Sequence, residues 1–123
     1  MRDCPEELDF ISLFECILLK KDQNESFLYD ESTFTFTSEM NRFEVKISPF
    51  YNFFSLSVKD LEDDEIFYYS LESVTKIEIM NDNKESKAIR LFIDQGIDRF
   101  IIMIMDLVFR PKFKVVLKEV SDS

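Results

Sequence analysis

Lys76-Ile77-Glu78-Ile79-Met80, Ala88-Ile89-Arg90-Leu91-Phe92-Ile93 and Phe100-Ile101-Ile102-Met103-Ile104-Met105 follow one another between residues 65 and 106, with only turn residues between them. In the first two segments apolar side chains alternate, so that Ile77 and Ile79, then Ile89, Leu91 and Ile93, share one side. That is the period of a strand with one buried face. The third segment does not alternate at all. A strand apolar on both faces is covered on both, which places it centrally, with sheet neighbours beside it and something packed on each face.

Upstream, residues 26–58 keep the period of two. Phe34 and Phe36 alternate with threonines, Phe43, Val45 and Ile47 with Arg42, Glu44 and Lys46, and Phe54, Leu56 and Val58 with serines. One wet face and one buried face is the antiparallel pattern. The connectors Asp30-Glu31-Ser32, Ser38-Glu39-Met40-Asn41 and Ser48-Pro49-Phe50-Tyr51-Asn52 are short enough for hairpins, which predicts a meander. Ile66-Phe67-Tyr68-Tyr69 reads as a further short, aromatic strand. Asn81-Asp82-Asn83-Lys84-Glu85-Ser86 is turn chemistry, and Asp94-Gln95-Gly96-Ile97-Asp98 holds the one glycine of the chain, where a hairpin needs a positive φ.

The two ends read differently from the middle. Asp3-Cys4-Pro5-Glu6-Glu7 has the marks of a helix start, with proline suited to the first helical position and acids at the positive end of the dipole. Phe10, Leu13, Phe14 and Ile17 then form one stripe flanked by Ile11 and Leu18, and Lys20-Lys21 closes the predicted helix. After Pro111, Lys112-Phe113-Lys114-Val115-Val116-Leu117-Lys118-Glu119-Val120 fits either period: a helix misplaces Val115 and a strand misplaces Val116. Proline near the first turn tips this segment to helix. The predicted fold class is therefore α+β: one single domain, 1–123, with an antiparallel β-meander sheet of about seven strands, an N-terminal helix and a C-terminal helix.

Composition narrows the function. At 123 residues, 46 % hydrophobic and with 14 Phe, the chain can bury an aromatic core without disulfides or metal. It has no apolar run of the roughly 20 residues that cross a bilayer and no leader pattern, so a cytoplasmic location is expected. Cys4 and Cys16 stand twelve positions apart on the predicted helix, too far to pair, which fits reduced thiols in a reducing compartment. With no histidine, imidazole-based triads and histidine-bearing zinc motifs are excluded, and one glycine cannot build a phosphate-cradling loop. The expectation is a protein that is not an enzyme and needs no cofactor or metal. The net charge of −10 argues against nucleic acid and anionic membrane as partners and fits a basic protein partner; nothing here suggests a small-molecule ligand.

Two surfaces are candidates for that contact. Asp60, Glu62, Asp63, Asp64 and Glu65 form the densest acidic patch, and no basic residue lies between Lys59 and Lys76 in sequence. Their spacing matches no calcium loop, which leaves a solvated acidic turn or a partner-contact patch. Tyr51 and Phe53, beside Phe50 in the turn after Pro49, and Tyr69 in the aromatic strand are the second set. Aromatics beside carboxylates suit a protein-binding hot spot, or else a second small core.

In size, acidity and its pattern of a helix plus antiparallel strands, the chain resembles the small acidic immunity proteins that neutralise cognate toxins of contact-dependent growth inhibition and other polymorphic toxin systems. The resemblance implies an antitoxin that binds one-to-one to a basic toxin domain of the nuclease kind, with Asp60-Leu61-Glu62-Asp63-Asp64-Glu65 over its active site. Tyr69-Ser70-Leu71-Glu72-Ser73-Val74-Thr75-Lys76-Ile77-Glu78-Ile79, with two strands after it, is similar to the later strands of bacterial pleckstrin-homology-like domains. That likeness implies a protein-interaction module, which a terminal helix would strengthen. The size and acidity also resemble those of a secretion chaperone, in which more helix late in the chain is expected.

Overall fold

The structure, a computed structural model, describes residues 1, 3–15, 18–20, 25–38, 40–94 and 101–121, and only the backbone of 18–20, 101 and 121. Its contacts group the chain into two compact units, Glu6–Glu72 and a second made of Met1–Pro5 with Ser73–Ser123.

The Glu6–Glu72 unit is one helix and a five-stranded antiparallel meander. Helix α1 (Glu7–Phe14) is followed by strands β1 (Leu18–Lys20), β2 (Ser32–Thr37), β3 (Arg42–Ser48), β4 (Phe53–Lys59) and β5 (Glu65–Leu71), which pair in that order. Register puts Phe34, Val45, Leu56 and Tyr69 in one row across the sheet, and Phe36, Phe43, Val58 and Phe67 in the next. Phe34, Phe43, Val45, Leu56 and Val58 are all buried, as period-two residues of one face should be. The helix stacks onto this face through its aromatic stripe: Phe10 lies 5.6 Å and Phe14 5.4 Å from Phe34, and Phe14 lies 4.5 Å from Phe36.

The helix starts later and stops sooner than the sequence predicts. Glu6, not a residue before Pro5, is the cap, with its backbone N–H donating to Asp9 Oδ2 at 2.9 Å. Glu15 takes a left-handed conformation at φ 52°, which ends the helix. Leu18–Lys20 is then a strand paired with β2, so Leu18 and Lys20 leave the predicted helix. Pairing there satisfies backbone groups of β2 that would otherwise be an open edge. Cys16, Ile17 and Lys21 lie outside the described residues.

The second unit is a four-stranded antiparallel sheet. Its strands are β6 (Val74–Asp82), β7 (Lys87–Ile93), β8 (Ile101–Arg110) and β9 (Lys114–Ser121), again paired in chain order. Asp3 adds a parallel bridge to Lys76, with Ile77 N–H donating to the Asp3 carbonyl at 3.0 Å. The non-alternating segment is β8, which has β7 and β9 as neighbours, and its consecutive Ile104 and Met105 are both buried. Phe100 and the turn around Gly96 lie outside the described residues. At the β6–β7 turn Asn83 Oδ1 accepts from the N–H groups of Glu85 at 3.0 Å and Ser86 at 2.8 Å. Arg90 of β7 and its register partner Asp106 of β8 make a two-bond pair, at 2.7 and 3.1 Å.

Two expectations are corrected here. The strands form two sheets, not one meander of seven. Leu71 pairs with Phe54, whereas the Ser73 carbonyl already accepts from Asp94 N–H at 2.9 Å, so pairing changes sheet within residues 72–73. Nine twisted strands in one open sheet would approach the size at which sheets split. The C-terminal segment is strand β9, not a helix. Pairing with β8 from Ile101↔Ser121 to Val108↔Lys114 satisfies backbone groups along β8, and β-branched Val115, Val116 and Val120 favour that geometry.

Candidate functional site

The predicted contact residues fall at opposite ends of β4. Ser48 pairs with Phe53 at one end and Arg42 with Lys59 at the other, about 20 Å apart at the strand rise. The acidic turn stands at the Lys59 end and Tyr51 at the Phe53 end. Tyr69, in the middle of β5, faces the same side as buried Leu56 and stacks 6.2 Å from Phe67. The large hydrophobic residues that β5 turns outward are Ile66 and Tyr68.

At the Lys59 end, much of the acidity is engaged in holding the turn. Asp60 Oδ1 accepts from the N–H groups of Glu62 at 2.9 Å and Asp64 at 3.0 Å, the self-bonding typical of an Asx turn. Asp63, at φ 67°, meets Arg42 at 3.4 Å and Lys59 at 4.0 Å. Glu65 Oε1 accepts from the Ser57 hydroxyl at 2.7 Å. Among the described residues, only Glu62 and Asp64 of this set keep carboxylates without a partner. The gap in basic residues along the sequence is closed in space by Arg42, which β3 delivers from 21 positions away.

The Phe53 end has the opposite character. Two single 3-10 turns, Phe27–Tyr29 and Pro49–Tyr51, approach each other here. Pro49 is buried and fixes the second turn, and Asn52 closes it at φ 56°. The rings that follow Pro49 are left outside: Phe50 and Tyr51 are 61 % and 67 % exposed, far beyond the few per cent of the core phenylalanines. Tyr29 packs 5.6 Å from Phe50, which meets Tyr51 edge-on at 5.1 Å. Tyr29, Tyr51 and Phe53, with Asp30, Glu31, Ser48 and Glu72, line a cleft of about 520 Å³. That volume lies within the range of ligand-binding clefts.

Of the predicted residues, this site gathers Tyr51 and Phe53. It adds Tyr29, Asp30, Glu31 and Glu72, which no local pattern singles out. Asp30 and Glu31 read as turn residues, and Glu72 as one acid after a strand; only the meander's return brings them to one place. Among the described residues, no lysine or arginine lines the cleft. Among the described residues, no group of three or more acids, cysteines or histidines is placed to hold a metal ion, and no helix is long and apolar enough to cross a membrane. No family model, curated protein or solved structure matches the chain.

Proposed function

We propose that the protein is an immunity-type binder, a cytoplasmic antitoxin without catalytic activity that neutralises a basic bacterial toxin domain by covering its active site. The observation that carries the reading is the aromatic and acidic cleft at the Tyr51 end of β4. Exposed aromatic rings that are already packed on one another lose little freedom on binding and are the side chains that dominate protein contacts. Carboxylates around them select a basic partner, and a net charge of −10 draws such a partner in from a distance. The chaperone alternative calls for more helix late in the chain, and a terminal helix would have strengthened the pleckstrin-homology-like one; residues 101–121 are instead strands β8 and β9 with their turn.

The test is co-expression. The toxin candidate to look for is the C-terminal domain of any large secreted protein found to be encoded directly upstream of this chain. Expressed alone it should arrest growth, and with this protein growth should return and the two should co-purify one-to-one. Arrest that persists despite full expression of the chain would overturn the proposal.

A further inference from the structure

We infer that the outer edge of β9 takes up an extended acidic segment of another protein as an added antiparallel strand. The inference concerns the second sheet alone and goes beyond the antitoxin reading, on which it does not rest. Strand β9 is the last in the order β6-β7-β8-β9, and among the described residues no strand pairs with its far side. Alternate backbone N–H and C=O groups along its eight residues therefore point out of the sheet. At the other edge the Asp3 bridge already occupies part of β6. The side chains of β9 are open as well, since Lys114, Val116, Leu117, Lys118 and Glu119 are all exposed. Register carries one row of a single face through Ile77, Leu91, Met105 and Leu117. The first three are at most 2 % exposed and Leu117 is 47 % exposed, so a buried row ends in an open leucine that a further strand would cover.

Charge selects the occupant. Lys114 and Lys118 flank Val116 on one face, and among the described residues neither they nor Lys112 meets a carboxylate, although acids outnumber bases by 25 to 15. Lys46, Lys59, Lys76, Lys87 and Arg90, by contrast, each have one within 4.0 Å. The net charge of −10 repels an acidic chain at a distance, but salt screens it beyond roughly 8 Å, and at contact the lysines opposite the incoming strand decide. A second copy of β9 is a poor fit. In every two-fold antiparallel register centred between Lys114 and Glu119, a lysine comes opposite or diagonal to another lysine. Edge lysines exclude like strands in this way, and carboxylates on the incoming strand turn the same contacts attractive. The spacing defines the segment. Glu-x-apolar-x-Glu, running against β9, sets its carboxylates opposite Lys118 and Lys114 and its apolar residue opposite Val116; an apolar residue in the first x meets Leu117.

The experiment titrates the isotope-labelled full chain with an acetylated, amidated peptide, Thr-Glu-Leu-Val-Thr-Glu-Thr, and with the same peptide carrying glutamine for both glutamates. By NMR the acidic peptide should shift the backbone amides of β9 and saturate on the order of millimolar. The glutamine peptide should bind about fivefold more weakly. Lys114→Gln with Lys118→Gln, both at exposed positions, should leave the amides of the other strands in place and bring the two peptides to equal affinity. In the chain alone, alternate amides of β9 should exchange with solvent without protection, and the acidic peptide should slow them. Equal binding of both peptides to the unmodified chain, shifts that spare β9, or an edge already protected without peptide would each overturn the inference. So would a chain that sediments as a dimer and becomes a monomer on Leu117→Asp, because the edge would then belong to a second copy.

Discussion

Cys4 shows how one residue's surroundings set its chemistry. Burial pushes its thiol up to about 12 from an ordinary 9.0, the N-terminal ammonium pulling the other way and Asp3 adding to the rise. The thiolate is the nucleophile, so at pH 8.5 alkylation at Cys4 in the folded chain should run on the order of a hundredfold slower than in urea, read by peptide mass spectrometry. Equal rates would show that the thiol is not shielded. The same shift sets a sign for stability. The folded state holds this proton more tightly than the unfolded chain, so the contribution is constant below pH 9 and is lost as pH climbs from about 9 towards 12. Ser32 is a second residue whose surroundings decide its effect. It is wholly buried, and among the described residues its hydroxyl has no hydrogen-bond partner. A buried hydroxyl without a partner costs about 1–3 kcal/mol, so Ser32→Ala should leave stability unchanged or raise it by about 1 kcal/mol in urea unfolding. A loss of more than about 1 kcal/mol would show that the hydroxyl is bonded.

Among elements, α1 depends most on tertiary packing, because eight residues are too few to be helical alone. Phe14 joins it to the sheet by stacking on Phe36 and packing at a tilt against Phe34, and is 4 % exposed. Phe14→Ala should therefore cost about 3–5 kcal/mol in denaturant unfolding. A loss under about 1 kcal/mol would mean that the helix is not held by this stack. Phe10, Leu13 and Phe14 were legible as a helical stripe because the period of 3.6 is local, and β3 and β4 because the period of two is local. The end of α1 was not, since a left-handed Glu15 carries no glycine to announce it and Leu18 continues the apolar stripe in sequence. The tail failed for a related reason. Val115 and Val116 break both periods equally, so the choice fell to β8, which offers a long hydrogen-bonding edge that no local reading contains. The acidic turn was visible as composition, but the contacts of Asp63 with Arg42 and Lys59 depend on register, and register belongs to the sheet.

At the scale of the whole molecule, charge and contact can be separated because the fold puts them at different places. The net charge of −10 acts at long range and speeds the encounter with a cationic partner wherever on the surface each carboxylate sits. Contact acts only where atoms meet. Two pairs of substitutions divide these effects, Glu62→Gln with Asp64→Asn at the acidic turn, and Glu31→Gln with Glu72→Gln at the cleft. Asp60 is left alone because its side chain accepts two backbone N–H bonds and holds the turn. Each pair removes two negative charges, so with a confirmed partner both should slow association by a similar few-fold factor at low salt and flatten its salt dependence alike. The two ends of β4 lie about 20 Å apart, beyond the roughly 8 Å Debye length at physiological ionic strength. In that medium the turn pair should become indistinguishable from the unmodified chain, whereas the cleft pair should still dissociate at least tenfold faster. Stopped-flow association and dissociation rates at two salt concentrations decide the matter. Faster dissociation from the turn pair, with the cleft pair unchanged, would move the contact surface to the Lys59 end of the sheet and leave the cleft without a partner.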